Sequence, residues 1–272
     1  MNDNFLKKIA KATYFRNETV HHMAIGPMRG IVWKVDDITG LSPWYSGTER
    51  DHQKAFKRLI KPGDVVVDVG ANWGIHTLLL SKLVGPSGLV VALEPFPQAV
   101  DSLKWHLDAN KCSNVKVVEK AASDKDGQAL FTVGESASTG GLAEGEPHSQ
   151  RKQLTVMTTR LDSLVKDLGI SHVRLIKIDV EGGETKVLLG ALRTIQKYRP
   201  YLVIDLHTPE QDISVARIAA SWDYGLSRLS GPPINRLDRG WPVEDGVWGS
   251  ILASPVHDTQ QPHHTTTTVV AS

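Results

Sequence analysis

Cysteine is almost missing from this chain: Cys112 stands alone among 272 residues. A single thiol excludes an intrachain disulfide and gives no argument for an oxidising compartment. Neither sign of charge is in excess, with 31 Lys plus Arg against 30 Asp plus Glu and a formal net charge of +1. That balance supplies no electrostatic reason to expect a nucleic acid or an anionic membrane as partner. No uninterrupted apolar run approaches the roughly 20 residues that span a bilayer. The opening stretch, Met1-Asn-Asp-Asn-Phe-Leu-Lys-Lys-Ile-Ala10, lacks the apolar core of a secretory signal, so the expected location is the cytoplasm. Internal repeats are absent too. What remains is a globular composition, 40% hydrophobic and 22% charged, which excludes a wholly disordered chain.

Strand and helix signals alternate from about residue 50, the order of an α/β sheet. Ala55, Phe56, Leu59 and Ile60 recur at helical spacing until Pro62-Gly63 stops the helix. Val65-Val-Val-Asp-Val69 reads as a strand buried on both faces. Further strands are expected at 89–93, 115–118, 173–178 and 201–206, with helices at 75–84, 98–110, 161–168, 184–197 and 214–222. Strands at 128–133 and 154–157 flank a Gly- and Ser-rich loop over 134–152, of a length often found in binding loops. Consecutive βα units wind right-handed, so the parallel strands should form one doubly wound sheet. The chain divides into an N-terminal extension with a small β element (1–48), an α/β domain (49–254) and a tail rich in Thr, His, Gln and Pro (255–272) that is expected to be disordered.

The most informative segment is Asp68-Val-Gly-Ala-Asn-Trp-Gly74, between the first buried strand and the next helix. Glycines let a backbone turn tightly and approach a ligand, and the helix N-terminus offers free N–H groups. Glu94, at the end of the following strand, is placed to accept hydrogen bonds from both hydroxyls of a ribose. A dinucleotide fingerprint needs G-x-G-x-x-G, but counting from Gly70 the second and third glycines are Asn72 and Ile75. An NAD-dependent oxidoreductase is therefore disfavoured. Asp68 would repel a pyrophosphate but suit an ammonium. A ribose with a zwitterionic tail is S-adenosylmethionine, so Asp68, Gly70, Asn72, Gly74 and Glu94 are candidate cofactor contacts.

These residues resemble the FkbM-type family of S-adenosylmethionine-dependent methyltransferases. The matching stretches are Gly47-Thr-Glu49, Lys61-Pro-Gly-Asp-Val-Val-Val-Asp-Val-Gly-Ala-Asn-Trp-Gly74, Val84-Gly-Pro-Ser-Gly88, Leu93-Glu-Pro95, and Ala121 with Asp124 and Gly127. They continue with residues 138–141, Leu161-Asp162, Ile176-Lys-Ile-Asp-Val-Glu-Gly182, Glu184 and Val187-Leu-Leu-Gly190, covering about residues 45–207. The resemblance implies a Rossmann-like class I methyltransferase fold, a seven-stranded sheet with the last strand antiparallel, which assigns segments 225–229 and 247–253. It also implies O-methylation of a sugar or natural product, adds Glu49 and Pro95 to the cofactor candidates, and places Ala121 near the adenine.

On the acceptor side, ligands of open α/β sheets lie outside the carboxyl ends of the strands. Lys177-Ile-Asp-Val-Glu181 and Val203-Ile-Asp-Leu-His207 end two of them. A period of two would put Asp179 with Glu181, and Asp205 with His207, on shared faces. His207 is the expected base, because an ordinary imidazole is mostly neutral at cytoplasmic pH. Asp179 is a second catalytic candidate or a cofactor contact, and Asp205 a third; Glu181 and Glu184 read as helix-capping residues. Asp179 and Asp205 could also share Mg²⁺, which the resemblance does not imply, so no metal is the favoured expectation. Lys177, inside an apolar strand, is expected to pair with a carboxylate. The partner is a small hydroxylated acceptor; Arg236, Arg239 and Trp241 in segment 231–246 either offer it a stacking ring and donors or form an exposed hairpin tip. A homo-oligomer remains open, and so does a non-catalytic module that only binds the cofactor.

Overall fold

Short apolar strands and amphipathic helices alternate through the residues that the structure, a computed structural model, describes: 19–24, 26–35, 49–134, 140–142, 151–229 and 249–256. β1 (Thr19–His22) and β2 (Val32–Val35) pair antiparallel. Then come α1 (Glu49–Leu59), β3 (Val65–Val69), α2 (Ile75–Val84), β4 (Leu89–Leu93), α3 (Pro97–Ala109) and β5 (Val115–Val118). A second set of strands, β6 (Ala121–Ala122), β7 (Gly127–Val133), β8 (Gly140–Leu142) and β9 (Gln153–Thr159), precedes α4 (Leu161–Asp167), β10 (Leu175–Ile178), α5 (Glu184–Gly190) and α6 (Leu192–Tyr198). The order ends with β11 (Tyr201–Asp205), α7 (Pro209–Ser221), β12 (Tyr224–Arg228) and β13 (Ser250–Pro255). Among the described residues no helix is long and apolar enough to cross a membrane.

The main sheet has seven strands in the order β12-β13-β11-β10-β3-β4-β5. β10, β11, β3, β4 and β5 run parallel, while β13 is antiparallel to both of its neighbours. This is the expected doubly wound class I sheet with its last strand reversed. Alternate residues feed two cores, as a strand period of two requires. Val67, Val69, Ile176, Ile178, Leu202 and Ile204 face α4 to α7, whereas Val66, Val90, Leu175 and Val203 face α1 to α3. The N-terminal hairpin is not a separate unit. Its Trp33 is fully buried in the second core, stacks on His106 at 3.9 Å, and its neighbour Val32 donates its N–H to Asn110 Oδ1.

Several expected boundaries move. The helix expected over 184–197 is two helices, α5 and α6, broken at Ala191. The Asp162 carboxylate accepts from the N–H groups of Arg193 and Thr194, which starts a new helix there. Gly190 also presses on Ser123, whose carbonyl oxygen would lie 2.0 Å from an added Cβ. α7 begins at Pro209, ahead of the apolar period, because the Thr208 hydroxyl caps it through Gln211 N. β8 turns part of the expected 134–152 loop into an edge of a four-stranded sheet, β6-β9-β7-β8. β13 runs to Pro255, one residue into the expected tail; the tail beyond 256 and segment 231–246 lie outside the described residues. Gly190→Ala is expected to cost about 1–3 kcal/mol, the usual penalty for overpacking, read as a lower urea midpoint; an unchanged midpoint would refute the contact.

Candidate active site

A buried cation organises the carboxyl ends of the central strands. Lys177 on β10 pairs in register with Asp68 on β3 and is 2% exposed. Its Nζ donates to the Gly70 carbonyl at 3.0 Å and lies 3.4 Å from both Asp68 Oδ1 and Asp179 Oδ2. Gly70 has φ +75, and an added Cβ would sit 1.8 Å from the Asp179 carbonyl oxygen. Glycine is thus required by the Asp179 turn pressing on this loop. From the other side, the Gly70 and Ala71 N–H groups donate to Leu93 O.

The loop borders a cleft of about 750 Å³, part of it open to solvent. Gly70, Asn72, Glu94, Pro95, Ala121 and Asp179 line it, so six of the expected cofactor positions come together. Glu94 Oε2 accepts from Asn72 N at 2.8 Å and Oε1 from Phe96 N at 2.9 Å. Burial pushes its carboxyl up to about 7, against the lowering effect of those two bonds. Phe96 and Phe131, with near-parallel rings 6.2 Å apart, add an apolar wall. Two of the other three expected positions differ. Asp68 is fully buried, accepts from Thr77 Oγ1 at 2.6 Å and stands behind the cleft, because Lys177 claims its other oxygen. Gly74 is likewise behind it, where an added Cβ would meet Leu103 at 2.5 Å; its smallness serves the packing of α2 on α3. Glu49 opens α1, and its side chain is outside the described residues.

β10 and β11 are neighbours, but the expected faces do not persist, because the strands end at Ile178 and Asp205. Asp205 keeps the face of Val203 and meets α1. Both of its oxygens lie within 3.1 Å of His52 Nε2, and Ser250 Oγ donates to it. Burial opposes ionisation there, yet the His52 bond and charge hold the carboxyl well below the usual range. His207, beyond the strand end, turns the other way. Its Nδ1 is 3.0 Å from Glu184 Oε1, and its Nε2 lies 3.4 Å from Asp179 Oδ1 and 3.6 Å from Glu181 Oε2. The expected neutral base is therefore corrected. Burial works against the charge, but the Glu184 bond and the Asp179 and Glu181 carboxylates outweigh it and push His207 up to about 9, an imidazolium at neutral pH. Asp179 and Asp205 do not form a shared metal pair either, since Asp205 is committed to His52 and Ser250. Burial raises both Asp179, which Lys177 opposes, and Glu181.

A family model, that of the methyltransferase FkbM domain, matches residues 68–224, which include the glycine loop, the cleft and the His207 cluster. The chain belongs to this family. Among curated proteins the FkbM domain is similar to hexuronic acid methyltransferase AglP of Haloferax volcanii, 26% identical over 176 residues, 65% of this chain and 66% of that one. It is also similar to 2-O-methyltransferase NoeI of Sinorhizobium fredii, 26% identical over 162 residues, 54% of this chain and 65% of that one. The chain thus spans just under two thirds of these relatives. A solved structure, methyltransferase FkbM from Methylobacillus flagellatus KT, is similar at 18% identity with a TM-score of 0.47, over 74% of this chain and 50% of that one.

Sequence reasoning about the FkbM domain missed Phe96, Phe131 and Leu142 on the cleft wall, and His52 and His76, stacked 4.9 Å apart beside Asp205. His52 carried a readable signal, since it lies four residues before Phe56 on the apolar stripe of α1. Phe131 carried none, because only the pairing of β7 with β8 brings it to the cleft. Lys177 was legible as an oddity, and its partners were not. Lys177→Met should leave Asp68 and Asp179 without their cation and cost about 3–5 kcal/mol, as breaking a buried ion pair does. Urea denaturation reads this, and a loss below about 1 kcal/mol would show that the charge is not structural.

Proposed function

We propose that this protein is an S-adenosylmethionine-dependent O-methyltransferase acting on a hydroxyl of a sugar or related natural product. The observation that carries the reading is Glu94. Two backbone N–H groups hold its carboxylate at the cleft wall, one on each oxygen, and each oxygen keeps a lone pair for a ribose hydroxyl. The cleft fits the rest of that cofactor. Phe96 and Phe131 offer a flat apolar surface to a base, and Ala121 adds a small side chain beside it. Asp179 and Glu181 make the opposite end acidic, suited to a cationic moiety.

When bound, S-adenosylmethionine supplies an electrophilic methyl group on a sulfonium. The chain's own task is then to hold an acceptor hydroxyl in line and to exclude water, a contribution dominated by positioning. Asp179 and Glu181, on the cleft wall, can accept that hydroxyl's hydrogen bond, while Lys177 and His207 keep their carboxylates fixed. The sugar class is suggested by a relative named for hexuronic acid, and the hydroxyl by one named for 2-O-methylation.

Calorimetry with S-adenosylhomocysteine tests the cofactor half. Hydroxyl donors need the ionised Glu94, whose carboxyl stands near 7 without ligand, so binding below that pH must release a proton. Affinity is expected to rise roughly tenfold from pH 6 to pH 8, with proton release at the lower pH. Glu94→Gln should flatten this dependence and weaken binding about ten- to hundredfold at pH 8. A flat profile in the unaltered protein would remove Glu94 from the ribose. Release of S-adenosylhomocysteine with a panel of uronic acids and glycosides tests the acceptor half, and binding without turnover on any of them would favour a non-catalytic module.

A further inference from the structure

We propose that Asp179, Glu181 and His207 form a divalent-cation site at the acidic end of the cleft. One donor atom from each lies within 4.8 Å of the other two. His207 Nε2 stands 3.4 Å from Asp179 Oδ1 and 3.6 Å from Glu181 Oε2. These gaps exceed the ~2.7–2.9 Å of a charge-assisted hydrogen bond. They come close to the ~3.0–3.4 Å edges of a coordination shell whose ligands sit ~2.1 Å from an ion.

The group is more than a patch of acids. His207 Nδ1 is held at 3.0 Å by Glu184 Oε1, a carboxylate with no exposure to solvent. That bond keeps the Nδ1 proton in place and turns Nε2 toward Asp179 and Glu181, so that an ion binding there displaces the Nε2 proton of the imidazolium, the arrangement in which a carboxylate orients a metal-binding histidine. Glu184 Oε2 is buried without a hydrogen-bond partner among the described residues, so anionic oxygen is left over behind the imidazole. Among the described residues, four carboxylates, those of Asp68, Asp179, Glu181 and Glu184, meet two cations, Lys177 and His207, in direct contact. A dication bound to Nε2 and the two outer carboxylates would redress that deficit. One imidazole with two carboxylates suits Mn²⁺, Fe²⁺ or Zn²⁺ better than Mg²⁺, which prefers oxygen alone. Asp205 takes no part, being bound to His52 and Ser250.

Asp179 and Glu181 also line the cleft, so the ion's open positions would face the space an acceptor hydroxyl enters. That consequence rests on the methyl-transfer reading; the ion site itself rests on donor geometry alone. Mn²⁺ titrated into chelator-treated protein and followed by electron paramagnetic resonance tests it, with S-adenosylhomocysteine binding measured separately by calorimetry. One Mn²⁺ per chain is expected. Glu181→Gln and His207→Gln should each weaken it by about tenfold or more, and Glu184→Gln by about tenfold through the lost orientation. Asp205→Asn should leave Mn²⁺ affinity unchanged. Retained S-adenosylhomocysteine binding certifies that each variant is folded. Absence of saturable Mn²⁺ binding in protein that still binds S-adenosylhomocysteine overturns the site, as does Mn²⁺ binding indifferent to Glu181 and His207 or lost in Asp205→Asn. Mn²⁺ binding with no S-adenosylhomocysteine binding would leave the ion site standing and sink the cofactor reading.

Discussion

A lysine ammonium in the middle of a parallel sheet is a constraint that the surrounding structure has to meet. An unpaired buried charge costs several kcal/mol, so its neighbours must supply oxygen in fixed places. Lys177 obtains it from Asp68 across the strand pair, from the Gly70 carbonyl and from Asp179. Pointing the Gly70 carbonyl at Lys177 commits that peptide's orientation, while its N–H is bound to Leu93 O. The next N–H along the loop, that of Asn72, is then directed at Glu94. One buried cation thereby fixes the loop below the cleft, the carboxylate at one end of it and the aspartate at the other.

The cleft that results is electrically uneven, and the unevenness follows from burial and pairing. At the Glu94 end a single carboxyl is desolvated and keeps its charge only marginally at neutral pH. At the Asp179 end several carboxylates surround an imidazolium that they themselves hold protonated. Between them the Phe96 and Phe131 rings provide apolar wall. Such a surface discriminates by orientation: hydroxyl donors are favoured at one end and cations or metal-bound oxygen at the other.

The sheet was legible in the sequence because its strands are short, β-branched and bounded by glycine or proline, so that period and punctuation agree. The glycine loop and Glu94 were legible for the same reason, since their spacing depends on local chain geometry. What failed was extrapolation past the strand ends. Asp205 and His207 share a parity, yet the strand stops at Asp205, and the two side chains go to opposite sides of the sheet, one to His52 and the other to Glu184. Protonation failed with it, because an ordinary imidazole becomes an imidazolium only through neighbours that tertiary structure supplies. Asp68 and Gly74 were rightly singled out by motif, but the physical reason for each lies in packing rather than in contact with the cleft.

The small sheet β6-β9-β7-β8 ties the two ends of the cleft together mechanically. Gly141 on β8 packs so closely on the turn after β10 that an added Cβ would lie 2.9 Å from the Glu181 carbonyl oxygen. Its neighbour Gly140 packs against the Phe131 ring, where the same addition would meet carbon at 2.8 Å. The turn bearing Glu181, which itself adopts a left-handed φ of +56, is thus the seat of the strand that positions the aromatic wall. A displacement of Glu181 backbone would move β8, and with it Phe131, because close-packed interfaces transmit strain rather than absorb it. Whatever occupies the acidic end therefore bears on the wall that faces a cofactor base, through glycine contacts too tight for any other residue.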